Sequence, residues 1–337
     1  MRITRRNVLR LSAGMVAASA VSAWPKISYA TPQKWGLADE YDPNSLTGMD
    51  CRHFIDEVKK RVGDELEITY HGGGTLGYKS VDQFSAVEDG LVESAITLTS
   101  QLSGIDPFFD LTSLPFLVPT LGDMRKVWKI AKPEITKIFA AHNMVVLWAM
   151  PNAPSGIHAK MPIDGVEALK GLRIRTYDAI GTKTFKTAGA SPLQIAWADL
   201  VPQLSTGGVD AVLTSADGGM RLSVWDYVNN FTAMNYVMAL FMMHVNKDAW
   251  DKLSPKARKA IEEASELADD YAWKTTAESV EKGYQAMEAH GMKITREPPA
   301  EAFKVLSEAA KPVKEEWVKK VGDRGKKVLD EIAKISG

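Results

Sequence analysis

The stretch that decides the fold is Asp164-Gly165-Val166-Glu167-Ala168-Leu169-Lys170-Gly171-Leu172-Arg173-Ile174-Arg175-Thr176-Tyr177. Asp164 is placed to cap a short helix, with Glu167 three residues on, Gly171 to close it, and Leu172 to Tyr177 as the strand that follows. Downstream, a helix over Gly181 to Ala188, a strand over Pro192 to Ile195, a helix over Ala198 to Thr206 and a strand over Ala211 to Ser215 continue the alternation. Upstream, Lys34 to Ala38 reads as a first strand, and an amphipathic helix runs through Phe54, Val58 and Val62. A strand at Leu66-Ile68-Tyr70, a helix ending at Gly90 and a strand from Ser94 to Ser100 complete a second set. Strand, helix, strand, helix is the signature of an α/β protein with parallel sheets.

Between the two sets, a helix over Leu121 to His142 leads to a buried strand, Met144 to Met150. Pro151-Asn152-Ala153-Pro154-Ser155-Gly156 then marks a crossing loop. The expected organisation is therefore a first lobe over 31–151, a second over 152–237, and a closing region over 238–337. That last region opens with an apolar strand, Met238 to Val245, and is then helical and heavily charged, with Lys256 to Met292 as one long helix or two. A single helix of that length would span about 50 Å and could brace both lobes.

Residues 1–30 read as an export signal. Arg2, Arg5, Arg6 and Arg10 precede an apolar stretch from Leu11 to Trp24, and Ser28-Tyr29-Ala30 has the small-x-small ending that signal peptidase cuts. Thr4-Arg5-Arg6-Asn7-Val8-Leu9-Arg10 is similar to a twin-arginine signal; the alternative is a plain secretory one. Without that segment the chain holds 36 basic against 42 acidic residues, which argues against a nucleic-acid partner. No later run reaches 18 apolar residues free of charge.

Few groups suggest chemistry. The one cysteine, Cys51, lies on an amphipathic helix pattern and reads as a buried hydrophobe. The six histidines include no pair at metal-ligand spacing, so no metal is expected. Gly72-Gly73-Gly74-Thr75-Leu76-Gly77 satisfies G-x-G-x-x-G, with Glu93 about 20 residues on, the nominal dinucleotide fingerprint. It follows a second strand rather than a first, and Glu93 sits at a strand start, so a Gly-rich turn beside a cleft is the better reading. With two α/β lobes and no catalytic set, reversible binding in the cleft leads.

Within the strand quoted first, alternation puts Leu172, Ile174 and Thr176 on one face and Arg173, Arg175 and Tyr177 on the other. Strands of helix-covered sheets are usually apolar on both faces, so a guanidinium late in one must find an anion. That anion is either a ligand carboxylate, which matches the guanidinium fork, or an internal Asp or Glu. Trp197 and Thr214-Ser215 stand at equivalent strand ends. Asn152, after the Met144 to Met150 strand, and Tyr41, past the first strand, complete an expected ring.

Lys170-Gly171-Leu172-Arg173-Ile174-Arg175-Thr176, Gly207-Gly208-Val209-Asp210-Ala211 with Thr214-Ser215, Leu114-Pro115-Phe116-Leu117 and Val245-Asn246-Lys247 together resemble the solute-binding subunit of tripartite ATP-independent periplasmic (TRAP) transporters, the DctP-type family. The resemblance covers nearly the whole chain after residue 30. It implies a two-lobed periplasmic binding protein with hinge strands and a long C-terminal bracing helix, closing on an organic acid without a cofactor. The family's carboxylate-clamping arginine falls on Arg175. The implied partners are a small and a large integral-membrane subunit, with uptake driven by an ion gradient. Two features depart from the family: Thr214 stands near the usual asparagine, and no second arginine occurs around Asn152 to Ile157. The rival readings are an exported oxidoreductase using Gly72–Gly77 and the binding protein of an ATP-driven importer.

Overall fold

A computed structural model describes residues 32–335, so the export signal read over 1–30 lies outside the described residues. Chain order runs β1 (Gln33–Asp39), α1 (Leu46–Val62), β2 (Leu66–His71), α2 (Ser80–Glu88), β3 (Ser94–Leu98), α3 (Leu121–Ala141) and β4 (Met144–Pro151). It continues with β5 (Ser155–Ala159), α4 (Val166–Leu169), β6 (Arg173–Thr176), α5 (Ala179–Thr187), β7 (Ser191–Gln194), α6 (Leu200–Ser205), β8 (Ala211–Ser215), α7 (Ala216–Arg221) and β9 (Asn230–Thr232). The last elements are β10 (Leu240–Asn246), α8 (Lys247–Asp251), α9 (Pro255–Ala289), β11 (Lys293–Thr295), α10 (Ala300–Val321) and α11 (Asp323–Ala333).

The strands form two sheets, ordered β2-β1-β3-β10-β4 and β11-β9-β5-β8-β6-β7. Neither is wholly parallel, contrary to the pattern-based expectation: β10 runs antiparallel to β3 and β4, and β5 antiparallel to β8 and β9. The reason is where the chain crosses. β4 ends beside the second sheet, so β5 starts at the near edge of that sheet and runs away from it. On the way back, β10 likewise enters at the near edge, with Leu240 opposite Pro151. The two crossings are tied together by amides: Asn152 donates to the Ala239 carbonyl at 2.7 Å, Ser155 to Val237 at 2.9 Å, and Tyr236 back to Ser155 at 2.9 Å.

The parallel strands thus aim their carboxyl ends at the junction from both sides. That is where open α/β sheets bind ligands. Two local expectations need correction. The cap of α4 is Gly165, not Asp164, and it makes no side-chain hydrogen bond; the Glu301 carboxyl from α10 packs so closely that a Cβ at Gly165 would lie 2.9 Å from it. The Pro/Gly break at 151–156 also ends sooner than its composition suggests, because Ser155 and Gly156 already pair with Ser215 and Thr214.

The long helix is single and 35 residues in length. Most of its buried positions are small, with Ala257, Ala260, Ala264, Ala268 and Ala272 followed by Thr276, Ser279 and Gly283, alongside the larger Ile261, Trp273 and Met287. Small residues let neighbours approach closely, and α9 packs on α1 and β4 at one end and on α7 and β11 at the other. A Cβ at Gly283 would fall 2.6 Å from the Ala216 carbonyl carbon. One apolar cluster runs through both sheets and this helix, joining Leu37, Ile96 and Trp148 to Ile157, Ile174 and Leu213.

Candidate functional site

Arg175 is the third residue of β6, the strand bracketed by β7 and β8. Its side chain is 2% exposed. Nε donates to the Ile195 carbonyl at 2.9 Å and Nη1 to the Leu213 carbonyl at 3.3 Å. Among the described residues no carboxylate lies within ion-pair distance of it, so the internal-partner reading of this guanidinium fails. Burial lowers its pKa, opposed by Tyr41 and Tyr177 and by the more distant charges of Asp178 and Glu40. The group therefore carries a full charge in a desolvated place, held in position by carbonyl oxygens alone, which is unfavourable until an anion arrives.

All seven residues singled out from the sequence border one cavity: Arg175, Tyr177, Trp197, Thr214, Ser215, Asn152 and Tyr41. The guanidinium carbon sits 5.6 Å from the Tyr177 ring and 5.9 Å from the Trp197 ring, distances at which aromatic faces favour a cation. Tyr41 closes the opposite side, with its ring 5.5 Å from Trp197 and 5.2 Å, edge-on, from Phe241. Ser215 caps α7 by accepting from the Gly218 amide at 3.0 Å, while its own carbonyl meets His158 Nε2 at 3.1 Å. Asn152 reaches the cavity from the crossing segment.

Sequence reasoning missed part of the lining. The first sheet adds Leu98, Met150 and Phe241, and the start of α1 adds Leu46 with the hydroxyls of Ser45 and Thr47. Ser45 caps α1, and its Oγ lies 2.8 Å from Thr47 Oγ1; Asn44-Ser45-Leu46-Thr47 carried a capping signal that could have located the turn. The second sheet adds Asp217, Gly218 and Arg221 from α7. These follow Thr214-Ser215 directly, so extending that strand-end motif by one helical turn would have found them.

The Gly-rich segment has a different task. The Gly73 amide donates to the Tyr41 carbonyl at 2.6 Å and the Gly74 amide to the Asp39 carbonyl at 3.0 Å. Gly73, Gly74 and Gly77 all have left-handed φ values, between 66° and 82°. These amides hold the Tyr41 loop and are not free to cradle a pyrophosphate. Glu93, the candidate ribose ligand, accepts from the Gly36 amide at 2.7 Å. Just beyond the turn, Lys79 Nζ reaches across to Asp199 at 2.7 Å, an exposed ion pair between the two halves. Among the described residues no three His, Cys, Asp or Glu side chains are grouped to hold a metal. None of the described helices is long and apolar enough to cross a membrane.

Two α/β lobes joined by paired crossings, with a buried cation at the strand ends, define a solute-binding protein. Residues 37–320 match the family model described as bacterial extracellular solute-binding protein, family 7 (DctP). The chain belongs to that family, and it is a solute-binding protein of the TRAP, DctP type. Among solved structures it is similar to DctP6, a Bordetella pertussis extracytoplasmic solute receptor binding pyroglutamic acid, at 28% identity and a TM-score of 0.86. That match covers 89% of this chain and 99% of the other. A marine-metagenome TRAP solute-binding protein specific for pyroglutamate is 26% identical with a TM-score of 0.85, covering 90% of this chain and all of the other. The C4-dicarboxylate-binding periplasmic protein DctP of Rhodobacter capsulatus is 23% identical over 326 residues, 94% of this chain and 95% of the relative. The family is one of solute-binding proteins, not of enzymes.

Proposed function

We propose that this protein captures a small organic acid outside the cytoplasm, clamps its carboxylate on Arg175, and delivers it to the membrane subunits of a TRAP transporter. The lobes, 31–151 and 152–237, close about the crossing segments, with 238–337 completing and bracing both. Tyr177, Trp197, Thr214, Ser215, Asn152 and Tyr41 enclose the bound acid.

The observation that carries this reading is the state of Arg175: buried, bonded only to two carbonyl oxygens, and facing a cavity. A micromolar complex needs about 8 kcal/mol, of which a charged hydrogen-bonded pair supplies roughly 1.5–3. The rest must come from apolar burial. A cavity walled by Tyr41, Trp197, Leu46, Met150 and Phe241 suits a single carboxylate on an aliphatic or ring body. Family membership supports the periplasmic setting and the membrane partner.

The test is a thermal-shift screen against carboxylic acids of varied body, followed by calorimetry on the hits. Compact monocarboxylates should raise the midpoint in proportion to their affinity. If no acid shifts it while a neutral or cationic solute does, the reading is wrong.

A further inference from the structure

Beside the ligand cavity, two buried acids from opposite lobes lie close enough to feel each other's charge. Asp178 follows Tyr177 at the end of β6 and caps α5, its Oδ1 accepting from the Gly181 amide at 2.7 Å. Asp110 belongs to the first lobe, in the tight helical turn Pro107–Ser113. Asp178 is 2% exposed and Asp110 7%. Asp178 Oδ2 and Asp110 Oδ1 are buried and accept no hydrogen bond among the described residues. The hydroxyls of Ser100 and Ser113 lie toward Asp178, and they too are left without a made hydrogen bond.

The cations nearby are engaged elsewhere. Arg175 is held by its two carbonyl oxygens and borders the ligand cavity. Lys183 of α5 and Lys320 of α10 border the same space as Asp110, but both close on Glu316, at 2.6 and 2.9 Å. Neither acid therefore has an ion-pair partner among the described residues. Tyr177 and Tyr236 complete the surroundings of Asp178, and burial keeps both phenols protonated.

Two like charges in one desolvated space resist being ionised together. Burial pushes Asp110 up to about 7, with the charge of Asp178 adding to the rise. Burial likewise pushes Asp178 up to about 6, against the pull of the Gly181 amide, the two serines and Arg175. The pair exists only where the lobes meet, because one acid comes with each. When the lobes part, water reaches both, and their carboxyls return to the ordinary range of about 4. The shut form thus binds protons more tightly than the open one. Closure gains as pH falls through about 7, and the gain levels off near about 4.

We propose that Asp110 and Asp178 form a proton site at the joint between the lobes, so that the protein takes up a proton as it closes and holds its acid more tightly in acidic surroundings. The proposal rests on closure about a carboxylate clamped by Arg175. The ligand stays ionised throughout, so the proton is bound by the protein and not carried in on the acid.

Calorimetry with pyroglutamate, or with the tightest acid of the screen above, tests it between about pH 8 and about pH 5.5, a window in which an ordinary carboxylic acid stays ionised. Runs in buffers of unequal ionisation heat count the protons taken up on binding. In the wild type, uptake should approach about one proton near the middle of the window, and affinity should rise at least about tenfold from its alkaline to its acidic end. Asp178→Asn keeps a helix-capping side chain and mimics the protonated acid. Its uptake should fall by at least about half, its affinity should vary correspondingly less with pH, and its alkaline affinity should exceed that of the wild type. Asp110→Asn, at a side chain whose buried oxygen has no partner to lose, should do the same and guards against misfolding of the first variant. A wild-type affinity that is flat across the window, binding without proton uptake, or a pH dependence left whole in either variant that folds overturns the assignment and leaves Arg175 untouched. Failure of every acid to bind would instead remove the clamp reading on which this one stands.

Discussion

The second lobe brings to the cavity Arg175, Asp217 and Arg221 with the hydroxyls of Thr214 and Ser215, whereas the first sheet and the start of α1 bring Leu98, Met150, Phe241 and Leu46 with the Tyr41 ring. Every charge is on one wall, and nearly all the aliphatic surface on the other. Under the proposed function, the difference predicts an order of binding. Charge acts over a distance and through water, so the acid docks first on the second lobe. Apolar contact acts only when water has left, so the first lobe contributes by closing.

The sharpest way to break this division is Arg175→Ala. Truncating one partner of a buried charge pair typically costs several kcal/mol, so affinity for any carboxylate should fall by at least about 100-fold in calorimetry. The ligand-free thermal midpoint should move little, because the charge removed is one that burial already disfavours. Unfolding of the variant, or unchanged binding, would make Arg175 structural.

A smaller effect is expected on the apolar wall. Phe241 is buried on β10 and meets Tyr41 edge-on. Phe241→Leu keeps the core apolar but loosens the wall behind Tyr41, and should weaken binding by about 10-fold, almost wholly through faster release. Stopped-flow traces would show this as a changed dissociation rate at a constant association rate; a slower association would contradict the proposed order.

The smallest effect belongs to the outer rim. Lys79 and Asp199 form an exposed pair across the cleft, and such pairs contribute little in solution. Lys79→Ala should change affinity by no more than about threefold, and only at low salt, where the pair is least screened. A large effect at 0.5 M salt would mean that closure is held by the rim instead of the ligand.

Much of this was legible in the sequence because alternation and end signals are local. β6 declares itself through Leu172, Ile174 and Thr176, and its guanidinium stands out because an arginine in a covered strand needs a reason. Tyr41, Asn152, Trp197 and Thr214-Ser215 were found by one rule, that strand ends converge. The rule could not give antiparallel placement of β5 and β10, since direction follows from which edge the chain enters after crossing, a matter of tertiary path. Nor did it give the apolar wall: Leu98, Met150 and Phe241 look like any core residue until the cavity exists to expose them. Asp217 and Arg221 sit on a helix of six residues with two glycines, too short to carry a periodic pattern. The fingerprint at Gly72–Gly77 was set aside on its context, and the structure adds the reason: the Gly73 and Gly74 amides are spoken for by the carbonyls of Tyr41 and Asp39, which no motif records.

The placement of β10 has a bearing on how the molecule is made. This strand occupies an interior slot of the first sheet, between β3 and β4, yet it is synthesised only after all of β5 to β9. The amino-terminal half, though it emerges first, waits with an open seam until residue 246 has left the ribosome. Long-range pairing of this sort is slow, and a nascent chain stalled short of that point would display two unsatisfied strand edges, inviting association with other chains.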